Sequence, residues 1–348
     1  MFESLRVPEP AGPGDHIRVI SPGLPGLAHL PDRARRAERA LLELGFTVSY
    51  GSRARLVSDD GTTAGTAKAR ADDFMEAFED PEVDVVLSAQ AGLGSRDLLD
   101  FLDPARIASS PKPFSGYCDN VYLNLYLAAH AGISSLYGCT FMKHFGEAGG
   151  AFPETKDYFM RALASTDPLV CRPVPSRNGE PLNWCAQEDE MPRQRNVQGG
   201  WTWLYPGTAR GILLGGEITL IPKLVRDFEL SLESTVLFWD VSFHGLPVWQ
   251  LFKDMCESAD LTRLAGMIVG AHPGIVPTEW APTVADLVDE FLPGIGYPVV
   301  VNADLGHLCP SWTVPFGREA VMDSRDAIIF PPGRADRSDD ITCIAAQG

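Results

Sequence analysis

The stretch Phe114-Ser115-Gly116-Tyr117-Cys118-Asp119-Asn120 predicts how the chain around it folds. An apolar run leads into it, Gly116 allows a tight corner, and a run with helical character, residues 121–130, leads out. A cysteine at such a corner is exposed near the positive end of a helix, where a thiolate is stabilised. Cys118 is therefore a candidate nucleophile. The alternative is a small thiol packed beside a helix, since free cysteine is among the most buried residue types.

The segments before this corner alternate between the two kinds of regular structure. Apolar residues at helical spacing predict helices over residues 31–44 and 66–78, and short apolar runs predict strands over residues 17–22 and 83–88. Such alternation is typical of a parallel sheet covered by helices, in which ligands bind beyond the carboxyl ends of the strands. The Cys118 corner and the turn at Gly92 both follow strands, so we expect both at that edge.

The length of 348 residues suits two domains. We predict an N-terminal α/β domain over residues 1–165 with a parallel sheet, and a C-terminal α/β domain over residues 209–348 with a β-rich closing segment. Residues 166–208 show little periodicity and are predicted to be a linker and an active-site loop. Its tryptophans, Trp184, Trp201 and Trp203, either form an aromatic wall for a ligand or anchor the loop to the core.

Composition excludes several classes of function. The formal net charge of −17 argues against nucleic-acid binding, and no apolar stretch has the length of a membrane helix. Seven cysteines without paired spacing, and no secretory signal, favour reduced thiols in a cytoplasmic protein. No metal-binding motif occurs, and Gly92-Leu93-Gly94 lacks the rest of a dinucleotide fingerprint, so we expect neither metal nor cofactor. The backbone N–H groups of this turn are instead candidates to hold an oxyanion.

Three side chains with complementary chemistry follow apolar, strand-like runs. Cys118, Asp240 and His307 supply the nucleophile, the orienting carboxylate and the base that acyl transfer needs. Spacing alone does not bring them into contact, and His144 and His272 are alternative bases.

The ordered motifs resemble those of the LD-carboxypeptidase family of serine peptidases, which includes the microcin C self-immunity proteins. The resemblance rests on segments 14–22, 92–95, 116–119, 211–216, 237–240 and 306–310, and on Pro315-Phe316-Gly317. It implies a nucleophile-bearing N-terminal domain, a C-terminal domain supplying acid and histidine, a homodimer and no cofactor. It assigns the nucleophile to Cys118, the acid to Asp240 and the base to His307. It also assigns the oxyanion hole to the backbone N–H groups of Gly92 and Asp119. The tryptophan-containing loop is similar to the microcin-immunity branch, in which an aromatic side chain holds the nucleotide part of an aminoacyl-adenylate-like substrate.

The chain departs from the family pattern at three positions: Cys118 replaces serine, Asp240 replaces glutamate, and Ala91-Gly92 replaces a glycine pair. Each change keeps the chemical type, so we predict a hydrolase that cleaves an amide bond of a peptide or amino-acyl conjugate through a covalent acyl-enzyme. The alternatives are a cysteine-dependent acyltransferase or amide-forming enzyme in a biosynthetic pathway, and a catalytically inactive ligand-binding homologue. If His307 lies beside Cys118, the pKa of the thiol is expected to fall below its ordinary value of about 8.5.

Overall fold

The protein contains two large β-sheets whose strands alternate with helices, as the sequence predicted. The computed structural model describes residues 2, 5–179, 184–185, 187–325 and 327–333. The strands are β1 His16–Ile20, β2 Thr47–Tyr50, β3 Val85–Ser88, β4 Phe114–Gly116, β5 Ser135–Tyr137, β6 Leu169–Cys171, β7 Ser176–Arg177, β8 Val197–Gln198, β9 Thr202–Tyr205, β10 Thr208–Glu217, β11 Thr235–Asp240, β12 Gly266–Gly270, β13 Val299–Ala303, β14 Val314–Phe316, β15 Glu319–Asp323 and β16 Ala327–Phe330. The α-helices are α1 Gly26–His29, α2 Pro31–Glu43, α3 Ala67–Glu79, α4 Pro104–Ser109, α5 Val121–Ala129, α6 Pro153–Ala164, α7 Ile221–Phe228, α8 Val248–Ser258 and α9 Pro277–Phe291.

The first sheet has the strand order β14-β5-β4-β3-β1-β2, and β1 to β5 run parallel. Its central strands β3, β4 and β5 are buried along their whole length. Such continuous burial is typical of parallel strands covered on both faces. Helix α5 is buried in eight of its nine residues, so the element that follows the Cys118 corner lies inside the core. A 3₁₀ helix, Ser95–Phe101, follows the Gly92-Leu93-Gly94 turn.

The second sheet has the order β6-β16-β15-β10-β11-β12-β13-β9. Strands β10 to β13 are parallel, while β15, β16, β6 and β9 add antiparallel edges. The parallel strands again bring their carboxyl ends to one edge. Asp240 is the last residue of β11, and His307 follows β13 closely.

One short strand ties the two sheets together. Strand β14 leaves the C-terminal part of the chain and pairs with β5 of the first sheet. Gly138 makes this approach possible: its φ is +150°, and a Cβ atom there would lie 2.3 Å from the carbonyl oxygen of Trp312. The Tyr137 and Phe238 rings then pack with their centroids 4.6 Å apart. The ends of the two sheets therefore face a common region.

The predicted linker contains more regular structure than expected. Strands β6 and β9 add to the second sheet, and β7 pairs with β8 in a two-stranded ribbon. These strands have two to four residues, too few to display an alternating pattern in the sequence. The domain boundaries at residues 165 and 208 stay a prediction, and residues 180–183 and 186 of the loop lie outside the described residues. None of the described helices is long and apolar enough to cross a membrane.

A buried ion pair joins this loop to the segment after β13. Arg177 Nη2 lies 2.9 Å from Asp304 Oδ1, and both side chains are almost completely buried. The same guanidinium donates to the carbonyl oxygen of Asn302, and Asp304 Oδ2 accepts from Val174 N and Trp201 Nε1. These bonds fix the start of the loop that carries His307.

We predict that Asp304→Ala lowers the free energy of unfolding by about 3–5 kcal/mol, because Arg177 is left as a buried charge without its carboxylate. Urea denaturation followed by tryptophan fluorescence measures the change. The matched control is Glu319→Ala, which removes a solvent-exposed pair with Arg210 and is expected to cost about 1 kcal/mol or less. Equal effects of the two substitutions would contradict the prediction.

Candidate active site

The Cys118 corner is a strained turn between β4 and α5. Cys118 has a φ of +54°, a left-handed conformation that is uncommon outside glycine. Its backbone N–H donates to the Tyr137 hydroxyl over 3.2 Å, and a short 3₁₀ turn, Cys118–Asn120, leads into α5. A strained backbone conformation of this kind persists only where the surrounding structure enforces it. At Cys118 the buried strand β4 before it and the buried helix α5 after it do so.

The two residues predicted to form an oxyanion hole belong to neighbouring turns. The Asp119 carboxylate accepts a 2.8 Å hydrogen bond from the backbone N–H of Ser95, directly after the Gly92-Leu93-Gly94 turn. The Ser95 hydroxyl in turn accepts from Asn120 Nδ2. Gly92 has a φ of +126°, and a Cβ there would lie 2.2 Å from Leu24 Cγ, so only glycine fits. The turn and the nucleophile corner are thus held together.

Asp240 and His307 form a direct pair. His307 Nδ1 is hydrogen-bonded to Asp240 Oδ2, which leaves the other ring nitrogen, Nε2, for a further partner. Gly306 makes room for the pair: its φ is +119°, and a Cβ there would lie 2.2 Å from Asp240 Oδ2. Asp240 is 1% exposed. A buried carboxylate on Nδ1 is the arrangement that fixes the tautomer of a general base.

Cys118 lies close enough to Asp240 for the carboxylate to influence the pKa of its thiol. Among the described residues, no hydrogen bond joins the Cys118 sulfur to His307. Burial raises the pKa of the Cys118 thiol, and the charges of Asp240, Glu217 and Asp119 raise it further. The Asp119 backbone N–H opposes this rise by hydrogen-bonding the sulfur. The expected fall in the thiol pKa is therefore wrong for this structure, because burial of the thiol, and after it the three nearby carboxylates, disfavour the thiolate.

Glu217 is a residue that sequence reasoning missed. It ends β10 opposite Asp240 in the parallel register, so both side chains lie on the same face of the sheet. Its carboxylate accepts from Ser242 Oγ over 3.1 Å and from Thr219 N over 2.9 Å, and burial raises its pKa. The sequence signal was available: the glycine pair before it continues the strand, and the acidic residue follows at the carboxyl end.

Lys143 is the second residue that was missed. It lies in a single π-helical turn, Phe141–Phe145, beyond β5, and is 7% exposed. Its Nζ lies 4.2 Å from the centre of the Tyr117 ring and donates to the carbonyl oxygen of Gly306 over 3.3 Å. Burial lowers the pKa of this ammonium, while nearby Cys309, Asp240 and Cys118 raise it. An isolated lysine in a run of aromatic and apolar residues gave no sequence signal of this kind.

His144 and His272, the alternative candidates for the base, lie in environments that differ from that of His307. His144 is buried, accepts from Thr140 N at Nδ1, and lies edge-on to the Tyr117 ring. Burial and Lys143 hold its pKa well below the ordinary value, so it is neutral. His272 packs against Trp280, and burial lowers its pKa to about 4. Of the three candidates, His307 is the one hydrogen-bonded to a carboxylate at a strand end.

The three loop tryptophans separate into two groups. Trp201 and Trp203 pack against each other and the core, and Trp201 Nε1 donates to Asp304. Trp184 also packs against the core, but it lines a cavity of about 540 Å³, where Arg33 Cζ lies 4.3 Å above its ring. The cavity is lined by His29, Leu30, Pro31, Asp32, Arg33, Arg36, Trp184, Cys185, Asp189 and Glu190. Within the described ranges, no group of His, Cys, Asp and Glu side chains is arranged to hold a metal ion.

We predict that alkylation of Cys118 by iodoacetamide stays slow at neutral pH and that its midpoint lies above the ordinary thiol pKa of about 8.5. The sign follows from burial and the three carboxylates, which disfavour the thiolate. Replacing one of them, in Glu217→Gln, is expected to lower the midpoint. Peptide mapping by mass spectrometry measures the rates, with the exposed Cys185 as the internal control. A midpoint below the ordinary value in the unsubstituted protein would contradict the prediction.

The comparisons with known proteins agree with this architecture. Residues 17–138 match the LD-carboxypeptidase N-terminal domain, and residues 210–322 match the LD-carboxypeptidase C-terminal domain. A probable murein peptide carboxypeptidase of Bacillus subtilis is 26% identical over 326 residues, which cover 92% of each chain. The microcin C7 self-immunity protein MccF of Escherichia coli is 24% identical over 320 residues, covering 90% of this chain and 92% of that one.

Solved structures show the same two-domain fold. MccF in complex with aspartyl sulfamoyl adenosine superposes with a TM-score of 0.83 at 23% identity, over 93% of this chain and 98% of that one. An MccF-like protein from Bacillus anthracis gives a TM-score of 0.82 at 24% identity, over 94% of this chain and 99% of that one. With both family domains matched in order, the chain belongs to the LD-carboxypeptidase family, whose peptidases hydrolyse amide bonds of peptides.

Proposed function

We propose that this protein is a cysteine-dependent amide hydrolase in which Cys118 is the nucleophile, His307 the general base and acid, and Asp240 the orienting carboxylate. The observation that carries the proposal is the buried Asp240–His307 hydrogen bond at the strand ends that face the strained Cys118 corner. A nucleophile on a sharp turn, with a base oriented by a carboxylate, is the arrangement that acyl transfer requires.

The reaction proceeds in two halves. His307 Nε2 takes the thiol proton as the sulfur attacks the amide carbonyl, and the resulting oxyanion is held by the backbone N–H groups of Gly92 and Asp119. The C–N bond then breaks, His307 gives its proton to the leaving amine, and a thioester to Cys118 remains. Water, deprotonated by His307, attacks the thioester, releases the carboxylic acid and restores the thiol.

The resting thiol is protonated in this scheme. Burial and the carboxylates of Asp119, Glu217 and Asp240 raise its pKa, so no stable thiolate–imidazolium pair precedes substrate binding. Proton transfer to His307 accompanies attack, as in a serine enzyme. A cysteine used in this way fits a family whose scaffold carries serine at the position.

We infer that the Trp184 cavity receives the part of the substrate beyond the scissile bond. Its aromatic wall suits a flat group such as a base, and an MccF-like protein from Streptococcus pneumoniae has been solved in complex with AMP, with a TM-score of 0.77 at 20% identity. The substrate class is therefore a peptide or an amino-acyl conjugate, with amino-acyl nucleotides as the first candidates.

We predict that Cys118→Ala lowers kcat/KM for amide hydrolysis at least about 10³-fold, because losing a nucleophile removes the covalent route. Hydrolysis of a panel of L,D-peptides and amino-acyl sulfamoyl adenosines, followed by mass spectrometry, measures the change. The control is Cys256→Ala in α8, a half-buried thiol far along the chain from the corner. Unaltered hydrolysis by Cys118→Ala would overturn the nucleophile assignment.

We predict that Trp184→Ala weakens the binding of AMP about five- to 150-fold, since stacking of a base on an aromatic ring contributes about 1–3 kcal/mol. Isothermal titration calorimetry gives the affinities. Trp249→Ala is the matched control, because this tryptophan is 42% exposed and belongs to α8. An affinity insensitive to Trp184 would remove the nucleotide subsite while leaving the hydrolase proposal in place.

A further inference from the structure

Lys143 is a buried ammonium to which neither the family resemblance nor the proposed triad gives a task. It is 7% exposed and donates to one carbonyl oxygen, that of Gly306. Its other close neighbour is the face of the Tyr117 ring, and among the described residues it forms no ion pair. An ammonium has three donors, so a buried lysine with this environment retains capacity for an anionic partner.

The position of Lys143 relative to His307 indicates which part of a substrate it meets. Its hydrogen-bond acceptor, Gly306, directly precedes His307, and the Tyr117 ring that it covers lies 5.1 Å from the His307 ring. In the proposed reaction His307 protonates the leaving amine, so the leaving group approaches this ring. Lys143, which contacts both Gly306 and Tyr117, therefore lies near the position where the leaving group is expected.

A basic strip continues from Lys143 to the Trp184 cavity. We use this name for Lys143, Arg193 and Arg33. Arg193 lies close enough to lower the pKa of Lys143, and Arg193 and Arg33 share the Glu147 carboxylate at 3.3 and 2.9 Å. Arg33 then covers the Trp184 ring. Glu147 and Asp189 form ion pairs with the two arginines, whereas no carboxylate pairs with Lys143 among the described residues, so Lys143 is the member of the strip that retains capacity for an anion.

We propose that Lys143 binds the anionic group carried by the leaving amine: the carboxylate of a peptide C-terminus or the phosphoryl-type group of an amino-acyl nucleotide. This inference rests on the proposed hydrolase and names the chemistry that its leaving-group side selects. Lys143 is thus a specificity-determining residue, and the enzyme discriminates against substrates whose leaving group is neutral at this point.

Two matched pairs of probes test the inference and separate the two sources of the anion. The peptide pair is L-alanyl-D-alanine and L-alanyl-D-alaninamide, compared by kcat/KM. The nucleotide pair is AMP and adenosine, compared by calorimetric affinity. In the unsubstituted protein we expect at least one pair to favour the anionic member by about tenfold or more, and Lys143→Met to reduce that preference to about one. The pair of probes whose preference is lost in Lys143→Met shows whether the anion is a peptide carboxylate or a nucleotide phosphate.

The matched control is Lys112→Met. Lys112 is also 7% exposed, but its Nζ donates to the carbonyl oxygens of Asp80 and Val83 in the first sheet region. This substitution is expected to leave both preferences unchanged. Each preference is a ratio within one protein sample, so partial loss of folded protein does not alter it.

Two outcomes would overturn the inference. The first is an unsubstituted protein that prefers the anion in neither pair. The second is a Lys143→Met protein that keeps the preference, including one that cleaves both peptides more slowly by the same factor, which would mean that the lysine only supports Gly306. If the protein cleaves no amide at all, the proposed function has failed, and the AMP–adenosine pair still decides the role of Lys143.

Discussion

The hydrogen bond between Asp240 and His307 is the contact on which the candidate site depends. Asp240 ends β11 and His307 lies in the loop after β13, and a side chain at Gly306 would occupy the position of the carboxylate. The loop that carries His307 is in turn held by the buried Arg177–Asp304 pair and by hydrogen bonds between Asn178 and Cys309. Much of the irregular segment between the two sheets thus serves to hold one imidazole ring in place.

The charges around Cys118 determine how sulfur functions on a scaffold that resembles a serine peptidase. In many cysteine enzymes a cationic neighbour lowers the thiol pKa and stores a thiolate. Here the nearby charges that act most strongly on the thiol are carboxylates, and they raise its pKa. A site of this kind suppresses oxidation and off-target alkylation of the resting enzyme, because both reactions require the thiolate. In the proposed mechanism the sulfur becomes reactive only when a substrate carbonyl and the His307 ring are both in position.

The sequence predicted the features that depend on local patterns. Strand–turn–helix order located the Cys118 corner, and the apolar run ending at Asp240 located the acid at a strand end. Features that depend on distant contacts were not predictable. The sequence places an acidic residue, Glu217, at a strand end, but its position opposite Asp240 follows from the register of β10 with β11. The position of Lys143 follows from a contact with Gly306, 163 residues away. The direction of the thiol pKa shift was wrong for the same reason, since it follows from burial of the sulfur and from three carboxylates that the fold brings near it.

The two missed residues give the site a polarity. Glu217 lies beside Asp240 on the sheet face, whereas Lys143 lies beyond the Tyr117 ring, next to Gly306 and at one end of the basic strip. A negative group and a positive group near one nucleophile orient a dipolar substrate, because reversing the substrate would place like charges together. An amino-acyl conjugate with a free ammonium on its acyl part and an anion on its leaving part is such a dipole. The selectivity that we propose for the site therefore follows from where the fold places these two charges, even though the exchange of serine for cysteine is the more conspicuous departure in the sequence.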